Sequence, residues 1–148
     1  DNKLDIGAAL AQRCFAERFA LLREVVEQTG LSAGQKLQEF VITNLRYTHN
    51  QFSQAPKVNE LVDIIVAERC ELIQAKIDND LKLISQILEE GQTRGEFNID
   101  DIQTTALAVQ HAIVKFSVPL FMTMYPLDEF EQHARQVVSL LIKGIGSR

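Results

Sequence analysis

Two polar side chains interrupt the apolar face of the second predicted helix, and they are the clearest candidates for binding chemistry. Asn44 and Thr48 share that face with five apolar residues, which are Leu37, Phe40, Val41, Leu45 and Phe52. Burying an amide or a hydroxyl group without a partner costs about 1–3 kcal/mol. The two side chains therefore pair inside the protein, bind a buried water, or face a cavity.

A cluster of flexible apolar side chains follows Pro119, where a proline should kink or break a helix. Met122 and Met124 lie there beside Phe121 and Tyr125, either as ordinary core or as the adaptable wall of a pocket. Ligand sites combine apolar walls with a few polar groups, so we predict a pocket for a small apolar or aromatic molecule. Its predicted lining is Phe40, Asn44, Thr48, Phe52, Val109, Ile113, Phe116 and Met122.

The sequence offers little for catalysis or metal binding. Glu129 and His133 are spaced as neighbours on a helix, but no further ligand accompanies them, so we interpret them as a surface pair. His49 and His111 are isolated, as histidines at core edges and interfaces often are. No glycine-rich phosphate loop precedes a helix, and no serine or cysteine occupies a recognisable nucleophile turn. We therefore predict no catalytic residue, no metal and no cofactor.

Composition and charge describe one domain that binds neither nucleic acid nor membrane on its own. The chain has 148 residues, of which 46% are hydrophobic and 24% charged, as expected for a single globular core. Its formal net charge is −5, and it has no cluster of basic residues for contacting DNA. It has neither a membrane-spanning apolar run nor a signal-peptide pattern. We expect a cytoplasmic protein in which Cys14 and Cys70 are buried free thiols.

Apolar residues recur at spacings of three and four along the whole chain, which predicts an all-α bundle of six orthogonal or antiparallel helices without strands. Ser32 with Gln35, and Asp100 with Gln103, have the spacing of capping signatures at the starts of the second and fifth helices. The inward face predicted for the first helix contains Leu10, Cys14, Leu21 and Val25. The predicted helices cover residues 4–28, 32–52, 57–68, 71–94, 100 to a break at 119, and 128–145.

The segment ILEEGQTRGEF, residues 87–97, places one glycine inside the fourth helix and one at its end. Gly95 suits the left-handed residue that ends many helices, and Phe97 could then pack back on the preceding turn. Gly91 lies on the buried stripe of the helix, where glycine costs about 0.5–1 kcal/mol relative to alanine. We expect that a neighbouring helix approaches closely at Gly91 and compensates this cost.

The last two helices each carry more apolar surface than one neighbouring helix can cover. A monomer would leave one stripe of each helix in water, so we predict a two-fold homodimer through these helices. The predicted interface residues are Leu107, His111, Val114, Val118, Phe121, Val138, Ile142 and Ile145.

The glycine-containing segment leads into the acidic stretch NIDD and then into a helix rich in alanine and aliphatic residues. At the start of the chain, DNKLDIGAAL places Asn2 and Lys3 before a long helix. Together these features resemble the C-terminal regulatory domain of tetracycline-repressor-type (TetR-like) transcriptional regulators. In that family an Asn-Lys or Ser-Lys pair links a DNA-reading helix-turn-helix to a long connecting helix.

The resemblance implies that residues 1–148 form the effector-binding and dimerisation domain of a bacterial one-component regulator, more specifically a repressor. A small, mostly apolar effector would bind between helices one, two, four and five and shift the connecting helix, which starts near Lys3. The family's N-terminal DNA-binding domain is absent from this sequence, so DNA would be bound only through that missing domain. The alternative is a dimeric helical scaffold or adaptor with a dry core and no ligand. An enzyme, the third possibility, would need an acid, a base and a nucleophile that converge in the cavity.

Overall fold

A computed structural model describes residues 2–147 and confirms the all-α prediction. Asp1, which opens the DNKL segment, lies outside the described residues. Among the described residues the only β-type pairing is one isolated bridge between Phe97 and Gly146, and no helix is long and apolar enough to cross a membrane. The helices are α1 (Asn2–Glu27), α2 (Ala33–Gln54), α3 (Pro56–Glu68), α4 (Cys70–Thr93), α5 (Ile102–Ile113) and α6 (Leu127–Ile145), with 3₁₀ helices at Val114–Ser117 and Pro119–Thr123.

Helix α2 is the centre of the bundle and contacts α1, α3, α4, α6 and both 3₁₀ helices. It begins with the predicted capping box. Ser32 Oγ accepts the Gln35 N–H at 3.1 Å, and Gln35 Oε1 accepts the Ser32 N–H at 2.8 Å. Leu37, Phe40 and Leu45 on its inward face are buried, and such burial contributes about 25 cal/mol per Å² of apolar surface. The central position of α2 therefore gives the fold its main core.

The inward face of α1 differs from the predicted one. Leu21 is exposed, whereas Ala11 and Leu22 are completely buried, and only Val25 of the predicted stripe belongs to the buried core. The prediction was wrong because the true face also contains a buried charge, Arg18, which an apolar pattern does not include. The helix is therefore rotated relative to the expected orientation.

Helix α5 ends at Ile113, earlier than the break predicted at Pro119. The chain continues as the 3₁₀ helix Val114–Ser117, and Val118 is extended with φ −111° and ψ 120°. This is the backbone region favoured before a proline, because the proline ring clashes with a helical predecessor. Pro119 thus interrupts the helical conformation before its own position, at Val118.

The N-terminal cap of α5 is Asp101, one residue later than predicted. The Asp101 carboxylate accepts the backbone N–H groups of Gln103 and Thr104 at 3.0 and 3.4 Å. A cap must reach the second or third N–H group of its helix, and Asp101 does so because the helix begins at Ile102, whereas the spacing to Gln103 favours Asp100. The prediction of Asp100 is therefore corrected.

The residue that approaches Gly91 is Phe97 rather than a neighbouring helix. A Cβ atom on Gly91 would overlap the Phe97 ring. Gly95, with φ +78°, reverses the chain after α4, and the Gly91 carbonyl accepts the N–H groups of Glu96 and Phe97 at 2.8 and 3.2 Å. The predicted return of Phe97 onto the preceding turn is confirmed. The neighbouring-helix explanation is wrong, because this ring fills the space first.

Charged residues of the same segment fasten the end of α4 to the start of α2. The buried Lys36 pairs with Glu90 at 2.9 Å, and Glu90 also pairs with Arg94 at 2.8 Å. Both carboxylate oxygens of Glu96 accept the Ala33 N–H at 3.1 Å, at a helix N-terminus where negative charge is favourable. These bonds therefore hold the end of α4 and the turn after it against the start of α2.

Candidate functional site

Two adjacent cavities lie between the helices of the bundle, and the large one opens to the surface beside the exposed side chains of Leu107 and Val114. The small cavity, of about 100 Å³, lies between α1, α2, α3 and α4, and its polar lining includes Arg18, Tyr47, Thr48, Asn59, Asp63 and Lys76. The large cavity, of about 460 Å³, lies between α2, α4, α5 and the first 3₁₀ helix, and its mainly apolar lining includes Phe40, Ile77, Ile84, Leu107, Ile113 and Val114. Both cavities are lined by Ile73, Lys76 and Ser117.

Arg18 of α1 is the centre of a buried hydrogen-bond network. Its Nη2 atom donates to Asp80 Oδ1 at 2.8 Å, and its Nη1 atom donates to Asn44 Oδ1 at 3.2 Å. Bonds between arginine and a carboxylate are charge-assisted and therefore stronger than neutral ones. The Nε atom is buried and has no hydrogen-bond partner. Arg18 thus joins α1 to α2 and α4 and still has one unsatisfied donor.

Lys76 of α4 lines both cavities and forms no ion pair within the described part of the chain. Its Nζ atom lies 5.5 Å from the centre of the Phe15 ring. Burial, helped by the nearby charge of Arg18 and opposed by Asp80, lowers the pKa of Lys76 to about 8. The amine is therefore still mostly protonated at neutral pH.

Asn44 and Thr48, the two polar side chains singled out in the sequence, both have partners in the structure. Asn44 accepts from Arg18, and Thr48 Oγ1 donates to the Asn44 carbonyl oxygen at 2.8 Å. The unsatisfied groups lie elsewhere. Asn59 Nδ2, on α3, is buried without a partner and belongs to a residue that lines the small cavity. Arg18 and Asn59 therefore supply the buried hydrogen-bond donors that still lack a partner at this site.

The structure brings half of the predicted pocket residues to the cavities. Phe40, Asn44 and Ile113 line the large cavity, and Thr48 lines the small one. Phe116 is buried instead against Phe130 of α6, with ring centres 5.0 Å apart. The remaining predicted residues also belong to the core or pack on it, and these are Phe52, Val109 and Met122. That the lining residues bind a ligand remains a prediction.

Sequence reasoning missed Arg18 and Asp80, although a usable signal exists. Asp80 lies between Ile77 and Ile84 at helical spacings of three and four, and Arg18 precedes Leu22 by one turn. Each charge therefore interrupts an apolar stripe, as Asn44 does on α2. A search for charged as well as neutral polar residues within such stripes would have found both.

The groups around the small cavity are better suited to binding than to covalent chemistry. Burial raises the pKa of the Cys14 thiol, and the Glu17 charge raises it further, which disfavours the nucleophilic thiolate. Burial likewise raises the pKa of Tyr47, whose hydroxyl donates to the Cys14 carbonyl oxygen at 3.0 Å. No metal-binding group of three or more residues exists among residues 2–147. Cys70 is exposed, so its predicted burial is corrected.

The predicted dimer surface is only partly exposed in the single chain. Leu107 of α5 and Val114, the first residue of the following 3₁₀ helix, are 43% and 50% exposed. Val138 is completely buried, and Ile142 packs against the same core, because this face of α6 covers α2. The prediction that Val138 lies in water without a partner is therefore wrong. Of the other predicted residues, His111 is exposed, and three are partly buried, namely Val118, Phe121 and Ile145.

Comparison with known proteins defines the class of this chain. Residues 33–138 match the family described as "Tetracyclin repressor-like, C-terminal domain". The match covers more than half of the sequence, so the chain belongs to this family and is a regulatory domain of a transcriptional regulator. The family resemblance stated from the sequence is confirmed. No curated protein sequence matches the chain significantly.

The fold is also similar to that of a solved regulator. The crystal structure of a bacterial regulatory protein in the tetR family from Rhodococcus RHA1 superposes with a TM-score of 0.66 at 16% sequence identity. The similarity covers 97% of this chain and 74% of that protein. At this identity the similarity concerns the fold.

Proposed function

We propose that this domain binds a small effector inside its bundle and, as a homodimer, couples effector binding to DNA binding by a full-length repressor. The observation that carries the proposal is the pair of adjacent cavities between the helices. Arg18 and Asn59 supply buried donors without partners beside them, and each such donor costs about 1–3 kcal/mol. A ligand that accepts hydrogen bonds there recovers part of this cost.

Effector binding is favoured over the alternative of a scaffold with a dry, fully packed core. The large cavity of about 460 Å³ lies within the range of roughly 300–1,000 Å³ typical of ligand pockets. Apolar walls with a few polar groups are also typical of such sites. A scaffold needs neither a void of this size nor unsatisfied donors beside it.

The route from effector to DNA begins at α1. Arg18 lies on this helix, and it bonds to α2 through Asn44 and to α4 through Asp80. A ligand that bonds to the same guanidinium group would alter these two bonds and with them the position of α1 relative to α2 and α4. The family resemblance implies that α1 is the connecting helix, so its movement would reach an N-terminal DNA-binding domain.

Filling the cavities should abolish effector binding. Ile73 lines both cavities, so Ile73→Phe should remove most melting-temperature increases found in a broad thermal-shift screen of metabolites. A ligand at one hundred times its dissociation constant stabilises the folded state by about 2.7 kcal/mol, which raises Tm by several degrees in a chain of this size.

The matched control is Ile64→Phe, because Ile64 is 55% exposed on the neighbouring helix α3. It should retain every increase seen for the wild type. A screen without any hit, or hits that survive Ile73→Phe unchanged, would favour the scaffold alternative.

Val114→Glu should convert a homodimer into monomers, as measured by size-exclusion chromatography with light scattering at micromolar concentration. Leu107 of α5 and Val114 of the following 3₁₀ helix present exposed apolar surface, and burying a carboxylate in an interface carries a large desolvation cost. Ile64→Glu places the same charge on another exposed surface and should remain dimeric. A wild-type chain that is monomeric at this concentration would contradict the proposed interface.

A further inference from the structure

We propose that the effector is an amphipathic carboxylate, with its carboxylate group bound by Arg18, Asn59 and Lys76 and its apolar part in the large cavity. This inference rests on the effector binding proposed above and adds the chemical class of the ligand. It also adds a charged group to the small apolar or aromatic molecule expected from the sequence.

The unsatisfied polar atoms require an acceptor. Arg18 Nε and Asn59 Nδ2 are the two buried side-chain polar atoms without a hydrogen-bond partner in residues 2–147. Both atoms are donors, and both residues line the small cavity. A carboxylate offers two oxygen atoms and only acceptor sites, and guanidinium groups match its planar geometry. One ligand group can therefore satisfy donors from α1 and α3 together.

The balance of charge around the cavities favours an anion. Arg18 and Lys76 are two cations, whereas Asp80 is the one buried carboxylate beside them and is bonded to Arg18. Asp63 also lines the small cavity but lies in an exposed position, where solvent and salt screen its charge. The pKa of Lys76 is lowered to about 8, because burial and the nearby Arg18 charge outweigh the attraction of Asp80.

The arrangement of the cavities indicates an apolar part of the ligand. Lys76 lies where the two cavities adjoin, together with Ile73 and Ser117. A carboxylate bound at Lys76 therefore starts an attached chain or ring at the entrance to the large cavity. Phe40, Ile84 and Ile113 line that cavity and provide the apolar surface that such a group would contact.

Matched probes test the charge preference directly. Octanoate and 4-phenylbutyrate should bind the full chain at least about tenfold more tightly than 1-octanol, 4-phenylbutanol and octylamine, as measured by isothermal titration calorimetry at pH 7. The aliphatic and aromatic members of the set show which shape the large cavity prefers. Neutral or cationic probes that bind as tightly as the carboxylates would overturn the inference and leave effector binding intact.

Lys76→Met should reduce octanoate affinity by about tenfold or more and change 1-octanol affinity by less than about threefold. Asn59→Leu should also weaken octanoate binding without any change of charge. Lys82→Met removes an exposed lysine from the same helix and should bind octanoate like the wild type.

A retained carboxylate preference in Lys76→Met would show that the carboxylate binds elsewhere. If neither carboxylate binds the wild-type chain, the inference is wrong. The metabolite screen with Ile73→Phe then decides separately whether the cavities bind any effector.

Discussion

Arg18→Met should lower the free energy of unfolding by about 3–5 kcal/mol, because it leaves a buried carboxylate without its cation. Asp80 is 8% exposed and bonds to Arg18 at 2.8 Å. Lys76 forms no ion pair with Asp80 in the structure, so Arg18 is the cation bonded to this carboxylate. Urea denaturation followed by circular dichroism measures the effect as a shift of the transition midpoint.

Arg13→Met is the matched control, because Arg13 forms an exposed pair with Glu17 on the same helix at 3.3 Å. Such pairs contribute at most about 1 kcal/mol, so the midpoint should move little. The double variant Arg18→Met with Asp80→Leu should regain most of the lost stability, since the carboxylate left without its cation is removed as well. A wild-type midpoint for Arg18→Met alone would show that Asp80 does not depend on this partner.

Phe97→Ala should lower the free energy of unfolding by about 3–5 kcal/mol, the usual cost of removing a buried aromatic ring. Phe97 is 4% exposed and belongs to the main core. Its ring also occupies the space beside Gly91, so its removal opens a void against α4. Urea denaturation of the variant provides the measurement.

Gly91→Ala tests the same contact from the other side and should cost about 1–3 kcal/mol, as overpacking does. In the double variant Gly91→Ala with Phe97→Ala the new methyl group has room, so the combined loss should be smaller than the sum of the two losses. Gly144→Ala is the control, because a methyl group added to this residue of α6 would point into open space. Strict additivity of the first two losses would contradict the proposed packing.

Local interactions made much of the fold predictable. The capping box at Ser32 and the return of Phe97 after Gly95 involve residues within one or two turns, and both are confirmed. The pairing of Arg18 with Asp80 was not predictable, because these residues are 62 positions apart and no local rule specifies which charges meet. Apolar spacing also could not decide whether Val138 faces its own core or a second subunit, since both environments favour the same residue type.

The large cavity and the proposed dimer surface share Leu107, His111, Val114 and Val118. A second subunit on this surface therefore becomes part of the environment of the ligand. Thermodynamic reciprocity then requires that dimerisation changes ligand affinity by the same factor by which the ligand changes the dimer dissociation constant. For a dimer that dissociates between micromolar and nanomolar protein concentration, we therefore expect the measured effector affinity to change on dilution alone.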